Sequence, residues 1–406
     1  MNRHSYQLLQ ELLQFFPCVA IVGVRQCGKT TLLRRLSSKW KLYDLEKVSD
    51  FQTISRDPDL FLRLNSQYCA IDESQLLPEL FSALRVAIDD DRQQPGRFII
   101  TGSSSPDLLH SISESLAGRV GIIELSPFSL SEAFSLSQSI FFNKIVEQEP
   151  PTFLGELEPR VSLSDVHDYW LRGGYPEPWI RNSARFAGLW RQNYFETYMN
   201  RDVMRLFPGL NRNKFLLFIN MLANLSGEII NYSNVARALG VSQPTARDYF
   251  QIAHGTFIWR QLPSYEKNGV KRIVKHPKGY LRDSGLLHHL LRLADLDALL
   301  SHPGMGYSWE SMVIENIIRG FKSMGIDFDS YYYRTSAGAE VDLVLEGEFG
   351  LLPIEIKYTQ TVKKRDLKAI KDFIKERNCR LGLVINNDER VQLYEDNLIG
   401  IPFACL

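Results

Sequence analysis

The 406-residue sequence has few cysteines, no long apolar run and no net charge. Its five cysteines are scattered, odd in number and without a CxxC pair, which argues against a disulfide framework and against a zinc site. They are Cys18, Cys27, Cys69, Cys379 and Cys405. No apolar stretch approaches the roughly 18 residues that a membrane span needs, and the opening MNRHSYQLLQELLQFF lacks the layout of a signal peptide. We therefore expect no membrane insertion and a reducing, cytoplasmic location.

The balance of 47 basic and 47 acidic residues gives no overall indication of a nucleic-acid or membrane partner, so a basic surface must be sought locally. The 44% hydrophobic and 23% charged content is that of an ordinary folded protein. At roughly 100 to 200 residues per domain, the length predicts two to four domains.

The order of apolar runs predicts an α/β fold. Between residues 19 and 125, helix-length segments separate the runs VAIVG, KLYDL, YCAIDE, RFIITG and VGIIEL, a pattern typical of a buried parallel sheet with crossover helices. Residues 128–159 have the composition of a connector, and a mostly helical stretch follows to about residue 227. The final hundred residues return to strands, YYYRT, EVDLVL and LLPIEIKY, followed by the amphipathic helix KRDLKAIKDFIKER and a last strand, LGLVI.

The segment from Gly23 to Thr30, GVRQCGKT, fits the phosphate-loop pattern GxxxxGK[ST] and lies between a predicted strand and a predicted helix. Its glycines let successive N–H groups form a nest for phosphates, to which the helix adds its positive end. Lys29 would reach the β- and γ-phosphates, and the Thr30 hydroxyl would hold Mg²⁺. The expected nucleotide contacts are Gly23, Gln26, Gly28, Lys29, Thr30 and Thr31. The alternative is a glycine-rich turn without a ligand.

Two adjacent carboxylates, Asp72 and Glu73, end the apolar strand YCAI. The end of a strand beside a phosphate loop is where a second metal-ordering carboxylate belongs. Asp72 would coordinate Mg²⁺ through water, and Glu73 would polarise the attacking water. A solvated turn is the alternative interpretation. With both motifs present, the sequence predicts hydrolysis of ATP with Mg²⁺ as cofactor.

These residues resemble the AAA-like ATPases that carry a C-terminal DUF4143-type domain and are widespread in bacteria and archaea. Further matching segments are IITGSS at 99–104, LAGR at 116–119, GGYP at 173–176 and the Arg201-Asp202 pair. The resemblance implies that Ser103 is the sensor residue between the acidic pair and the γ-phosphate. It also implies a homo-oligomer in which Arg119 completes the site of a neighbouring subunit, and a lid in which Pro176 meets the adenine. Arg119 as a surface ion pair and Tyr175-Pro176 as a helix-breaking turn remain alternatives.

Residues 201–280 contain twelve Lys and Arg but four Asp and Glu, so the neutral total conceals a basic middle. Two short helices are predicted there, capped by Ser233 and Ser242 and separated at Gly240. The residues expected to contact DNA are Gln243, Thr245 and Arg247 on the second helix and Lys271 and Arg272, with Lys275 and Lys278, in a strand-like wing. Winged helices also bind proteins, which is the alternative.

A second acidic constellation lies near the C-terminus, where Glu310 begins an apolar helix and Asp342 and Glu355 occupy successive strands. Glu355 and Lys357 are two apart in a strand and share a face, and a hairpin through residues 346–350 would place Asp342 beside them. Such a group can hold Mg²⁺ and activate water for phosphodiester attack.

This order of residues resembles the PD-(D/E)xK nuclease superfamily, particularly the archaeal Holliday-junction resolvases. The resemblance implies metal ligation by Glu310, Asp342 and Glu355 with Lys357. Glu340 would supply an extra carboxylate or face solvent. A fold kept for DNA binding without cleavage is the alternative.

We therefore predict four parts: a P-loop ATPase domain (1–150), a helical lid (151–227), a winged helix-turn-helix (228–280) and a PD-(D/E)xK nuclease-like domain (281–406). The predicted function is ATP hydrolysis coupled to action on DNA, with branched repair or recombination intermediates as substrates. The alternatives are an ATP-gated protein switch or scaffold with an inactive nuclease-like domain, and an ATP-regulated nuclease in defence or mobile-element biology.

Overall fold

The computed structural model describes residues 3–103, 112, 114–149, 154–198, 203–266 and 276–406. The chain divides into two units. The first contains Met1–Phe128, Gly255–Phe257 and Lys322–Gly325, and the second contains Ser129–His254, Ile258–Phe321 and Ile326–Leu406. The first unit thus ends before the predicted boundary at residue 150, because residues after 128 bond within the second unit. Leu130 N–H donates to the Asn316 side chain at 2.8 Å, and the Ser131 hydroxyl donates to the Leu406 carbonyl at 2.7 Å.

The five apolar runs of the first unit form one parallel sheet, as the sequence predicts. Its strands are β1 Cys18–Gly23, β2 Lys41–Asp44, β3 Cys69–Asp72, β4 Phe98–Ser103 and β5 Val120–Glu124, in the order β2-β3-β4-β1-β5. The helices are α1 Ser5–Phe15, α2 Lys29–Leu33, α3 Val48–Ser55, α4 Pro58–Leu64 and α5 Glu79–Asp89. Every residue of β1 and β3 is buried, as expected for central strands covered on both faces. The carboxyl ends of β1, β3 and β4 lie at one edge of the sheet, where Gly23 pairs with Ser103.

The second unit begins with helices and one short hairpin. The helices are α6 Leu130–Ala133, α7 Ile140–Val146, α8 Leu163–Arg172, α9 Pro176–Arg181, α10 Ala184–Thr197, α11 Met204–Leu206, α12 Arg212–Leu225, α13 Tyr232–Leu239, α14 Gln243–Gly255, α15 Ser284–Leu290, α16 Leu296–Ser301 and α17 Met305–Ser323. The antiparallel strands β6 Trp259–Leu262 and β7 Lys278–Leu281 follow α14. The helix pair α13–α14 and this hairpin have the element order of a winged helix, an assignment that stays a prediction.

One cap in this region differs from the prediction. Helix α13 is capped by Asn231, whose side chain accepts from Asn234 N–H at 3.1 Å, and Ser233 lies inside the helix. Asn and Ser are about equally good caps, so the choice depends on where the chain enters the helix. Ser242 does cap α14, because its hydroxyl accepts from Thr245 N–H at 3.2 Å, and Gly240 ends α13 in the left-handed conformation with φ 61°.

A mixed six-stranded sheet completes the second unit. Its strands are β8 Phe328–Arg334, β9 Glu340–Gly347, β10 Gly350–Ile356, β11 Gly382–Asn386, β12 Gln392–Glu395 and β13 Leu398–Pro402, in the order β12-β13-β11-β10-β9-β8. Helix α18, Lys368–Arg377, connects the parallel strands β10 and β11 and buries Ile370, Phe373 and Ile374. The strand predicted to be the last is followed by β12 and β13, which were not predicted from the sequence. Within the described residues, no helix combines the length and apolar character of a membrane span.

Candidate functional sites

The phosphate loop joins β1 to α2 in a geometry that needs its glycines. A Cβ atom on Gly23 would lie 2.0 Å from the Leu125 carbonyl oxygen, and Gly28 has φ +102°. The Lys29 side chain is buried and donates to the carbonyls of Gly23 and Val24, at 2.9 and 3.1 Å. Gln26 and Thr31, the other expected contacts, are exposed. The loop thus holds the Lys29 ammonium against its own backbone carbonyls at the start of α2.

Asp72 lies directly against this loop. Its Oδ2 accepts from the Thr30 hydroxyl at 2.6 Å, and its Oδ1 accepts from the Thr101 hydroxyl. Asp72 is 2% exposed, so these two hydroxyl groups are what hold its carboxylate. A hydroxyl and a carboxylate side by side are the hard oxygen donors that Mg²⁺ prefers. The residues present fit the ion that the phosphate loop implies.

Glu73 is connected to Ser103 at the end of the neighbouring strand. The Ser103 hydroxyl donates to Glu73 Oε2 at 3.1 Å, and Gln75 Nε2 donates to Ser103 Oγ at 3.1 Å and to the same Glu73 oxygen. Glu73 itself has a left-handed backbone with φ 57°, which turns its side chain out of the strand direction. The acidic pair and the predicted sensor thus form one network.

Sequence reasoning missed Thr101 and Gln75 in this network. The only signal for Thr101 is a hydroxyl residue inside the buried run of β4, where a polar side chain needs a partner. Gln75 carries no comparable signal, because it lies in a turn after the acidic pair.

Arg119 makes an ion pair within its own chain. Its Nε and Nη2 donate to the two carboxylate oxygens of Asp89 at 2.7 and 2.8 Å. The hydrogen bond from Arg119 lowers the pKa of Asp89. This geometry matches the surface-pair alternative, and action in a neighbouring subunit stays a prediction.

The Gly-Gly-Tyr-Pro segment joins α8 to α9 in the second unit. Gly173 ends α8 with φ 74°, and a Cβ atom there would lie 2.3 Å from Asp283 Oδ1. Asp283 Oδ2 accepts from Gly174 N–H at 2.8 Å, and the hydroxyl groups of Tyr175 and Tyr194 are 2.7 Å apart. Pro176 is buried at the start of α9. The segment is a packed helix-to-helix turn, and contact of Pro176 with adenine stays a prediction.

The helix-turn-helix exposes part of the predicted DNA-binding set. Gln243 and Arg247 are exposed on α14, and the Arg247 guanidinium lies 5.1 Å from the centre of the Tyr232 ring. Thr245 is half-buried and its hydroxyl bonds to that of the capping Ser242 at 2.8 Å. Lys271, Arg272 and Lys275 lie outside the described residues.

Two cations of the basic middle, one buried and one half-buried, form ion pairs within the chain. Lys278 is 3% exposed, and its ammonium donates to Glu310 at 2.8 Å and to Glu340 at 2.6 Å, so the expectation that it belongs to a phosphate-binding wing is wrong. Arg260 donates to Glu315 on α17. The exposed positive charge of this region is therefore smaller than the residue count suggests.

The second acidic site, here called the carboxylate cluster, contains Glu310, Glu340, Asp342 and Glu355. One oxygen each from Glu310, Glu340 and Asp342 lies within 4.8 Å of the others. Asp342 Oδ2 also accepts from Ile356 N–H at 2.7 Å. Lys357 Nζ lies 2.6 Å from Glu355 Oε1 and 3.6 Å from Asp342 Oδ2. The structure thus brings Glu310, Asp342, Glu355 and Lys357 together.

Burial and crowding perturb the cluster. Burial, together with the Asp342 carboxylate, raises the pKa of Glu310 to about 7 and that of Glu355 well above its usual range. Burial alone would lower the pKa of Lys278, but the carboxylates of Glu310, Asp342 and Glu340 raise it above its ordinary value. Lys278 is therefore charged at neutral pH.

The cluster as arranged does not fit the divalent ion that the nuclease resemblance implies. The place between Glu310 and Glu340 is taken by the Lys278 ammonium, and each carboxylate of the cluster contacts a lysine. The Tyr280 hydroxyl donates at 2.5 Å to Glu310 Oε1, the same oxygen that the Lys278 ammonium contacts. Sequence reasoning missed the roles of Lys278 and Tyr280, whose alternation in β7 gives only a weak signal.

The first unit has the sheet, loop and acidic pair of a P-loop ATPase. Residues 16–134 match the AAA domain family, residues 163–297 match a domain of unknown function (DUF8612), and residues 305–406 match another (DUF4143). Uncharacterized proteins of Mycobacterium bovis and Mycobacterium tuberculosis are each 33% identical over 405 residues, which cover 99% of this chain and 83% of theirs. The chain belongs to the family of P-loop ATPases with an N-terminal AAA domain and a C-terminal DUF4143 domain.

Solved structures resemble the chain more distantly. A Walker-type ATPase of Pyrococcus abyssi is 15% identical with a TM-score of 0.44, covering 71% of this chain and 95% of that one. A signal-transduction ATPase with a tetratricopeptide-repeat sensor from Pyrococcus horikoshii is 16% identical with a TM-score of 0.29, covering 80% of this chain and 47% of that one.

Proposed function

We propose that this ATPase couples Mg²⁺-dependent ATP hydrolysis to action on DNA, which it contacts through the exposed face of α13 and α14. The observation that carries the proposal is the exposure of Gln243 and Arg247 in the first turns of α14, the second helix of a helix-turn-helix. In such motifs, the start of the second helix faces the base edges of the major groove. Arg237, also exposed, adds positive charge to α13, and Arg212 is exposed at the start of the preceding helix α12.

The ATP-hydrolysing half of the proposal assigns a role to each residue around the loop. Lys29 holds the β- and γ-phosphates, and Thr30 and Asp72 hold Mg²⁺, which neutralises charge that develops on the phosphates. Glu73 accepts hydrogen bonds from Ser103 and Gln75, so one of its oxygens is oriented and the other is available to polarise water. Ser103 thereby links the γ-phosphate side of the site to the base.

The test measures ATP hydrolysis with duplex, single-stranded and four-way junction DNA over a range of salt concentrations. We expect DNA to stimulate hydrolysis, with a stimulation that weakens steeply as salt rises. Arg247→Ala should weaken DNA binding. If the side chain contacts a phosphate, the substitution should also reduce by about one the slope of the logarithm of the DNA-binding constant against the logarithm of the salt concentration. Arg181→Ala removes an exposed cation of α9 and serves as the matched control. A rate of ATP hydrolysis that none of the DNA substrates changes at low salt would refute the proposal. Selective stimulation by the junction would identify branched DNA as the preferred substrate.

The lysine contacts of the carboxylate cluster favour a second candidate, an ATP-gated protein switch whose C-terminal domain does no chemistry. Lys278, which is no part of the nuclease motif, neutralises Glu310, a carboxylate that a nuclease would use for metal ligation. In this alternative, DNA leaves hydrolysis unchanged and no DNA is nicked in the presence of Mg²⁺. Loss of nicking in Asp342→Ala, with nicking in the unaltered protein, would instead support a nuclease.

A further inference from the structure

We infer that the carboxylate cluster is a divalent-cation site whose cation position is filled by Lys278, so that a metal ion binds only when this lysine is withdrawn. Lys278 thus acts as a tethered cation that competes with the metal. The inference uses no property of the DNA-binding surface and goes beyond the proposed function.

The competition follows from shared ligands. The Lys278 ammonium lies 2.8 Å from Glu310 Oε1 and 2.6 Å from Glu340 Oε1, and these residues with Asp342 offer the converging oxygens. A Ca²⁺ or Mg²⁺ ion needs such oxygens at about 2.0 to 2.6 Å. An ion at this distance from both glutamates would almost coincide with the ammonium nitrogen, which repels it. Lysine and metal therefore exclude each other.

An unsatisfied acceptor shows that the cluster has capacity for a further cation. Glu355 is 5% exposed, and its Oε2 has no hydrogen-bond partner among the described residues, while Oε1 is bound by Lys357. A buried acceptor without a partner is costly and calls for an explanation such as an ion.

The charges of the cluster also favour the exchange of the Lys278 ammonium for a divalent ion. Four carboxylates face Lys278, Lys357 and, at the rim, Arg334, which lies 3.6 Å from Glu340. Replacement of the ammonium by a divalent ion would add one positive charge to a group of four crowded carboxylates, which lowers the cost of burying them in ionised form.

The lysine and the metal ligands belong to different elements. Lys278 is on the short strand β7, which pairs with β6 on one side and is hydrogen-bonded on the other side to residues 227–230. Glu340 and Asp342 are on β9 of the six-stranded sheet, and Glu310 is on α17. Rotation of the lysine stem would therefore vacate the cation position without moving the elements that carry the ligands, whereas the hairpin itself is tied to α17 through Tyr280 and Arg260.

The experiment titrates Mn²⁺ into the full chain without nucleotide, using calorimetry and thermal unfolding. The unaltered protein should show no Mn²⁺ binding that depends on Asp342. Lys278→Met should gain one site, at least tenfold tighter than any in the unaltered protein, and a rise of the unfolding temperature with Mn²⁺. Lys278→Met combined with Asp342→Asn should lose that site, which separates it from Mn²⁺ bound at the phosphate loop.

Two results would overturn the inference. The first is a folded Lys278→Met that gains no site sensitive to Asp342→Asn. The second is an unaltered protein that binds Mn²⁺ through Asp342 as tightly as Lys278→Met does. If Lys278→Met is unfolded without metal, Mn²⁺ should restore its near-ultraviolet circular dichroism and should fail to restore that of the double variant. Lys278→Gln, which keeps a hydrogen-bond donor, provides a second neutral variant for the same comparison.

Discussion

The orientation of the Asp72–Glu73 pair depends on hydroxyl groups supplied by other segments. Thr30 of the phosphate loop and Thr101 of β4 bind the two oxygens of Asp72, whereas Ser103 binds Glu73. Each carboxylate is therefore directed by a different set of donors, although the two residues are adjacent in sequence. This separation allows one to order a metal ion and the other to orient water.

Glu73→Gln should bind ATP as the unaltered protein does but hydrolyse it about 10² to 10⁴ times more slowly, because general-base catalysis typically contributes that factor. The amide can still accept the Ser103 hydrogen bond, so the network keeps its shape. Nucleotide binding by fluorescence and turnover by phosphate release measure the two effects separately. Glu79→Gln, an exposed acid at the start of α5, is the control and should be unaffected. Turnover at the normal rate in Glu73→Gln would remove Glu73 from the role of base.

At the scale of elements, one buried glutamate joins the β6–β7 hairpin to α17. Glu315 on α17 is paired with Arg260 on β6, with Arg282 just after β7 at 3.2 Å, and with Arg319 one turn further along its helix at 3.5 Å. Although burial alone would raise the pKa of Glu315, the three guanidinium groups lower it to about 2. The carboxylate is thus the common partner of three cations that would otherwise repel one another.

Glu315→Gln should lower the free energy of unfolding by about 3 to 5 kcal/mol, because removal of one partner leaves buried charges without compensation. Urea unfolding at pH 7 measures the loss. Glu177→Gln removes an acid from an exposed pair with Arg181 and should change stability by about 1 kcal/mol or less. Equal effects of the two substitutions would show that the Glu315 cluster contributes no more than a surface pair.

The lowered pKa of Glu315 predicts that the stability of the protein depends on pH. Since the pKa of Glu315 is about 2 in the folded protein and 4.5 is its ordinary value, its stabilisation is complete above pH 4.5. It is lost progressively as the pH falls from 4.5 to 2. The stability difference between the unaltered protein and Glu315→Gln should therefore shrink over that range and stay constant above it. A difference that grows on acidification would contradict this sign.

At the scale of the whole molecule, the bidentate pair of Arg119 with Asp89 contrasts with the role in trans that the family resemblance implies. Solvent screens this exposed pair, although its bidentate geometry makes it stronger than most surface pairs. If Arg119 acts in trans, its guanidinium has to leave Asp89 for a phosphate of the neighbouring subunit, where its effect on turnover would be large.

Arg119→Ala should reduce ATP hydrolysis by about 10³-fold or more if the arginine acts in trans. Mixing it with Lys29→Ala, which has an intact arginine but a defective phosphate loop, should then restore hydrolysis. The active sites would be those that combine the phosphate loop of Arg119→Ala with the arginine of Lys29→Ala. Asp89→Asn breaks the pair within the chain while it retains the arginine, and it should hydrolyse ATP normally. Full activity of Arg119→Ala alone, or no recovery on mixing, would leave Arg119 as a surface residue.

Much of the fold was predictable because its signals are local. The five runs of the first sheet, the phosphate loop and the acidic pair are each read from consecutive residues, and a parallel sheet places the ends of its strands at one edge. The shared face of Glu355 and Lys357 follows from the two-residue period of a strand. By contrast, the Asn231 cap depends on where the chain enters α13. The strands β12 and β13 depend on pairing with other strands, which leaves little trace in composition.

The amino-acid sequence by itself determined the ATPase class of this protein and the set of carboxylates near its C-terminus. Only the tertiary structure decided that Lys278, which is 32 residues from Glu310 and 62 from Glu340, neutralises those carboxylates. It also decided that the half-buried Arg260 is paired with the buried Glu315, so that the charge of each cation is neutralised within the chain. The physical reason is that a charge count takes no account of burial, whereas the partner of a buried charge depends on contacts between residues far apart in the chain.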